Sequence, residues 1–348
     1  MPARLDPVRA DRDLNVDEPM ADYRLFGAET SPYSLKVRAF LRYKGADFDW
    51  VLRSAATEDE FQRHAVLPAV PLLIGPDGKA SQDSTNMLAT LEKKISTPAA
   101  RPDDPACQAL ALILEDYADE WLNKALFHQR WSQSPDREAA ATRLLEQVLS
   151  GKTPAKRREA QASVVSRMTE RLDLVGATPD NAPVLTASFQ RFAELFNAHL
   201  EQHLYIFGGQ PSSADFALAG QLQQMLRDPT AGTWLRERAP FVAAWCAFMD
   251  APKAGGPFLP LTDLSGTLLP LFRDEIAVTY VPWADANALA ITKRRKDVAI
   301  DLADGTLTQK PQRYAAKSWR VVKKAVEKLK KSDGLREFMA AAALDALV

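Results

Sequence analysis

Three X-Pro pairs between Ser96 and Pro105, namely Thr97-Pro98, Arg101-Pro102 and Asp104-Pro105, cut this chain in two. Proline lacks the N–H that a helix or a sheet ladder needs, and it pushes the residue before it into extended backbone, so no regular element runs through such a stretch. The two sides differ in period. Before the break, short strand-like runs alternate with amphipathic segments; after it, apolar residues recur at helical spacing. An α/β unit over residues 22–95, a linker over 96–105 and an all-helical unit over 106–252 follow from this contrast, with residues 1–21 as a disordered tail and residues 253–348 as a helical extension.

The first unit reads as a strand (Tyr23–Gly27), a helix carrying Leu35, Val37, Phe40 and Leu41, and a second strand (Phe48–Leu52), a βαβ opening. A short helical or irregular piece follows at Glu58 to His64, and then Val70-Pro71-Leu72-Leu73-Ile74. A central strand position does not tolerate proline, so Pro71 marks a special backbone site at the head of that run. Pro76-Asp77-Gly78 is a turn signature that makes Leu72–Ile74 and Lys79–Ser81 a hairpin. Gln82-Asp83-Ser84 then opens a helix with Met87, Leu88 and Leu91, so the order β-α-β-α-β-β-α is complete near Lys94.

Candidate chemistry sits at helix starts. Ser31-Pro32 offers a hydroxyl and free backbone N–H groups where an anion, such as a thiolate, could bind; a simple helix cap is the alternative reading of Ser31, and Asp83-Ser84 is likewise a cap pair by sequence. In the helical unit, Ser212 and Asp215 have capping-box spacing ahead of a helix apolar enough to be buried, which is a structural signature. Trp121, Phe127 and Trp131 recur at helical spacing, usually a mark of core, with a hydrophobic pocket against the first unit as the other reading, and the acidic run Glu115, Asp116, Asp119 and Glu120 reads as a solvated helix face. His199 and His203 share a helix face but lack the further ligands of a metal site, so no metal is expected. A net charge of -1 gives no pull toward nucleic acid or membrane, and two cysteines, Cys107 and Cys246, cannot build a disulfide framework, which fits a cytoplasmic setting.

Taken in order, the βαβ-α-ββα unit, Val70-Pro71, Asp83-Ser84, the proline-rich linker and Ser212-x-x-Asp215 resemble the glutathione transferase family over residues 22–252. The resemblance implies a thioredoxin-like first domain with a cis Pro71, an all-α second domain, and a homodimer. It implies that Ser31 is the serine of serine-type members, donating to the sulfur of glutathione as co-substrate. Asp83 and Ser84 would hold the γ-glutamyl end, and Val70, presented by Pro71, the cysteinyl amide. Tyr33, Trp121 and Phe127 are the candidates for a pocket that takes a small hydrophobic electrophile. Ser31 and Ser34 stand where thiol-disulfide reductases carry cysteine, which disfavours that chemistry. At Ala69 the family commonly has a polar or basic residue, so either affinity for glutathione is reduced or another side chain, such as Arg53 or Lys36, meets the glycyl carboxylate; a non-catalytic binding or assembly protein of the same fold is the alternative function.

The extension is basic between Lys293 and Lys331, with thirteen Lys/Arg against four Asp/Glu. Trp319, Val322, Ala325, Val326 and Leu329 give it an amphipathic helix, read as an added layer on the second domain. A surface for anionic partners is the other reading, and Leu264 to Phe272 could form a lid.

Overall fold

The computed structural model describes residues 21–146, 153–332 and 334–348. The tail expected over residues 1–21 lies, apart from Ala21, outside the described residues. The first unit runs β1 (Tyr23–Gly27), α1 (Pro32–Tyr43), β2 (Phe48–Leu52), α2 (Glu58–His64), β3 (Leu72–Ile74), β4 (Ala80–Ser81) and α3 (Ser84–Lys94), the order read from the sequence. Its sheet has the order β2-β1-β3-β4, with β1 parallel to β2 and antiparallel to β3. Strand alternation sends neighbouring side chains to opposite faces. Leu25 joins the main core with Val37, Phe40 and Leu88, whereas Phe26 packs edge-on against Phe61 of α2 with ring centroids 6.0 Å apart.

Pro71 lies just outside β3, where its missing N–H breaks no ladder, and the Val70-Pro71 peptide is cis.

The second unit opens with a continuous rod: α4 (Pro105–Asp116), a π-helical stretch (Tyr117–Leu122) and α5 (Asn123–Trp131). It continues through α6 (Ser134–Leu145), α7 (Pro154–Thr169), α8 (Leu172–Val175), α9 (Ala182–Leu200), α10 (Ser213–Leu226), α11 (Pro229–Arg238) and α12 (Pro240–Phe248). Helix α10 is buried along most of its length, so its first N–H groups and the chain entering it cannot turn to water. Asp215 answers this from within, accepting from Ile206 N–H (3.0 Å), Ser212 N–H (2.8 Å) and the Ser212 hydroxyl (2.7 Å).

The extension adds α13 (Leu261–Leu271), a second π-helical stretch (Phe272–Tyr280), α14 (Val281–Thr292), a hairpin of β5 (Val298–Leu302) and β6 (Gly305–Gln309), α15 (Arg313–Leu329) and α16 (Leu335–Ala341). The hairpin interrupts an otherwise helical segment. Its strands are five residues each, and the Asp304-Gly305 turn signal between them was passed over in reading the segment as helical throughout. Helix α15 buries Trp319, Val322 and Val326 as the amphipathic pattern required. Leu264, Leu268, Leu271 and Phe272 are fully buried against α9 and α16, which makes that segment core rather than lid. Among the described residues, no helix is long and apolar enough to cross a membrane.

The two units meet along α1 and α10. Gly220 of α10 lets the backbones approach: a Cβ there would sit 2.4 Å from the carbonyl oxygen of Pro32, at the start of α1. Gly220→Ala is expected to lower stability by about 1–3 kcal/mol through this overlap, read as a lower urea midpoint at unchanged slope.

Candidate functional site

Sheet register brings the three sequence motifs to one end of the first unit. Residues 28–31 leave the C-terminal end of β1, Val70-Pro71 enters the antiparallel β3 at that same end, and Gln82-Asp83-Ser84 leaves β4, antiparallel to β3, there as well.

Ser31 is the N-cap of α1: its N–H donates to Ala28 O (3.0 Å) and its Oγ accepts from Ser34 N–H (3.2 Å). A hydroxyl oxygen that accepts still has its own hydrogen to donate, so capping and donation to a ligand are compatible roles for this half-buried side chain. The loop before it is held by distant residues that the sequence did not reveal. Gln224 Nε2 and an Arg227 guanidinium nitrogen donate to Glu29 O at 2.8 and 3.0 Å. Buried Arg130 reaches Thr30 O at 3.5 Å while Asp228 and Gln224 fix its guanidinium. Gly27 completes the loop's support, because a Cβ there would lie 2.2 Å from the Trp50 ring.

Asp83 caps α3, with Oδ1 accepting from Asn86 N–H (3.3 Å) and Oδ2 from Asn86 Nδ2 (3.0 Å). Its φ of +81° and ψ of +102° are unfavourable for a residue with a Cβ, a strain of about 1–3 kcal/mol of the kind that persists where surrounding structure holds a ligand clamp. Ser84 is the buried first residue of α3. Gln82, another residue the sequence did not single out, ties the neighbouring loop together: its Oε1 accepts from Val66 and Leu67 N–H, and its Nε2 donates to Leu67 O and Ala69 O. None of the described residues hydrogen-bonds the Val70 backbone, which leaves one N–H and one C=O at the head of β3.

The residues expected to form a second pocket part company. The Tyr33 hydroxyl donates to Asp119 O at 2.8 Å, and its ring is half-buried. Phe127 is half-buried against Trp131. Trp121 is fully buried, donating to Ser188 Oγ (2.8 Å) and packing on Trp283, so it belongs to the core behind the site. A cavity of about 290 Å3 between α1, α3, α4 and Leu329 of α15 is lined by none of the three.

The acidic run is not a solvated face. Glu115, Asp116 and Asp119 are buried, and Lys36 Nζ lies 2.7 Å from both Glu115 and Asp119 and 3.0 Å from Thr85 Oγ1. Burial alone would lower the lysine's pKa, but Asp119 and Glu115 outweigh it and hold the ammonium above its ordinary value. Lys36 is therefore spent inside the protein. Arg53 pairs with Glu58 (2.8 Å) and donates to Pro68 O (2.9 Å), beside the Val70 loop. Burial, ahead of the neighbouring carboxylates, pushes Asp116 up to about 6, although the Ser318 and Tyr280 hydroxyls donate to it. Both cysteines are buried, and burial pushes their thiols up.

A sheet with a cis proline heading β3, packed through α1 on an all-helical unit, is the glutathione transferase fold. Family models for the N-terminal and C-terminal domains of glutathione S-transferase match residues 30–94 and 156–248, one within each of the two units. It is 28% identical over 133 residues to glutathione S-transferase U16 of Arabidopsis thaliana, covering 37% of this chain and 56% of that one. The chain thus spans about half the length of the curated plant relatives it matches. Among solved structures it is similar to the Tau class glutathione S-transferase of mango, Mangifera indica, with 20% identity, 66% of this chain and 89% of that chain covered, and a TM-score of 0.41. A glutathione S-transferase from Rhodospirillum rubrum is 19% identical, with 68% and 96% covered and a TM-score of 0.45.

The raised pKa of Asp116 gives a signed pH effect. Its folded value of about 6 lies above the ordinary 3.8, so its contribution to stability is fully present below about pH 4 and is lost as pH rises through 6. Asp116→Asn removes this dependence. Relative to wild type, the variant is expected to be about 1 kcal/mol more favourable at pH 7.5 than at pH 5 in urea unfolding; an unchanged difference between the two pH values would contradict the assignment.

Proposed function

We propose that this chain is a catalytic glutathione transferase that binds glutathione at this end of the sheet and activates its thiol for attack on a small hydrophobic electrophile. The observation that carries the reading is the convergence of a hydroxyl at Ser31, an unpaired backbone at Val70 and a helix N-terminus with a carboxylate at Asp83-Ser84. An amino acid end, a peptide amide and a thiol in one extended ligand match these in kind.

Val70, set by Pro71, pairs with the cysteinyl amide as an added strand would. Asp83 accepts from the γ-glutamyl ammonium, and the Ser84 hydroxyl with the first turn of α3 binds the neighbouring carboxylate. Arg53, and not the buried Lys36, is the cation near the loop for the glycyl carboxylate. Ser31 donates to the sulfur and favours the thiolate; lowering the thiol pKa by ~2 units takes roughly 2.7 kcal/mol of differential stabilisation. The thiol proton leaves to water, the sulfur lone pair forms the new C–S bond, and the displaced group departs with its electron pair. Tyr33 and Phe127 face the electrophile, with Trp121 as packing behind them. A homodimer working in the cytoplasm completes the reading, on the likeness to the family.

Ser31→Ala tests it. Wild type should show bound thiolate by ultraviolet absorbance near neutral pH, and the variant should lose it together with about 10- to 100-fold in conjugation rate. If bound glutathione titrates as it does in water and the alanine variant changes neither quantity, the chain is a non-catalytic member of the fold.

A further inference from the structure

The extension reaches the candidate site through one side chain. Tyr314, in the first turn of α15, donates its hydroxyl to Asp83 Oδ2 at 2.8 Å across 231 residues of sequence. The contact is not the chance reach of a loose end. Immediately before α15, Gln312 N–H donates to buried Asn287 (2.8 Å), and Gln312 Oε1 accepts from buried Lys124 (2.6 Å). One turn after Tyr314, Ser318 donates to Asp116 and Trp319 Nε1 to Asp285 (2.8 Å). Despite this anchoring the Tyr314 ring is 54% exposed, so it lines the surface of the site rather than the core.

Counting lone pairs shows what remains for a ligand. A carboxylate accepts about four hydrogen bonds. Asp83 Oδ1 has one donor, Asn86 N–H, and Oδ2 has two, Asn86 Nδ2 and Tyr314. Oδ1 keeps one acceptor position, and the Tyr314 oxygen, having donated its hydrogen, keeps its own lone pairs to accept with, 2.8 Å from Asp83 Oδ2. Burial and the nearby carboxylates Asp83, Glu120 and Asp119 push the phenol up, so it stays a donor to Asp83 at neutral pH. The same carboxylates make the surroundings attractive to a cation.

We propose that Tyr314 is a ligand-binding residue of this site: with Asp83 it forms a two-oxygen receptor for the α-ammonium of the bound γ-glutamyl group, so the C-terminal extension completes the site. The inference rests on the glutathione reading above. It assigns the extension a part in recognition, because one ammonium N–H can reach Asp83 Oδ1 while a second reaches the Tyr314 oxygen. Polarised by its own donation to a carboxylate, that oxygen is a better acceptor than a free phenol.

Calorimetric titration of the full chain with glutathione and with its deaminated analogue, in which hydrogen replaces the ammonium, tests this. Tyr314→Phe keeps the ring and is expected to weaken glutathione binding about 3- to 10-fold while leaving the deaminated analogue at its wild-type affinity, which also serves as the check on folding. Equal affinity, tighter binding of glutathione (a gate rather than a receptor), or the same loss for both ligands would overturn the proposal. If wild type binds neither ligand, the glutathione reading itself falls and takes this inference with it.

Discussion

A lysine ammonium buried between two domains is the constraint on which this molecule turns. Lys36 belongs to α1 of the first unit and is 1% exposed, and the carboxylates that satisfy it, Glu115 and Asp119, belong to the rod that opens the second. Removing a charge from water costs several kcal/mol, and breaking such a pair by losing one partner leaves that cost uncompensated. The two units therefore cannot slide or separate without stranding charge. The π-helical stretch at Tyr117–Leu122 belongs to the same junction, since Asp119 lies within it and offers its carboxylate to Lys36 and its carbonyl to Tyr33.

The extension is locked on by the same device, repeated mostly with neutral donors. Asp116 receives Tyr280 and Ser318, and buried Glu275 receives the hydroxyls of Tyr117, Ser188 and Thr279 together with Arg191. These contacts join the two π-helical stretches, one in the second unit and one in the extension. An apolar interface would hold the layers together with looser register; hydrogen bonds to buried carboxylates fix which turn meets which. That register puts Tyr314 on Asp83. The loop that carries Ser31 is fixed separately, since Arg130, Gln224 and Arg227 of the second unit hold its carbonyls.

Elements set by local chemistry were legible in the sequence. The linker prolines, the βαβ opening, the Pro71 position and the Ser212–Asp215 box each rest on a few adjacent residues, and each lies where those residues put it. The caps at Ser31 and Asp83 were legible for the same reason, because caps and turns are local. The acidic run on α4 and the π-helical stretch was misread: a row of carboxylates at helical spacing looks like a wet surface until its lysine partner arrives from residue 36. For Trp121 the sequence left core and pocket both open, with core the favoured reading, and packing on Trp283 makes it core. Gln82, Arg130 and Gln224 carried no local signal at all.

By itself the sequence determined the order of elements in the first unit and the helix starts at Ser31 and Asp83-Ser84, because proline, caps and hydrophobic period act over a few residues. Tertiary structure decided the rest. Which end of the sheet gathers those positions depends on strand register, whether Lys36 or Arg53 can reach a ligand depends on what buries them, and whether the extension touches the site depends on α15 docking against α4 and α14. Burial and pairing between residues far apart in the chain are properties of the packed molecule, and no pattern within a few residues encodes them.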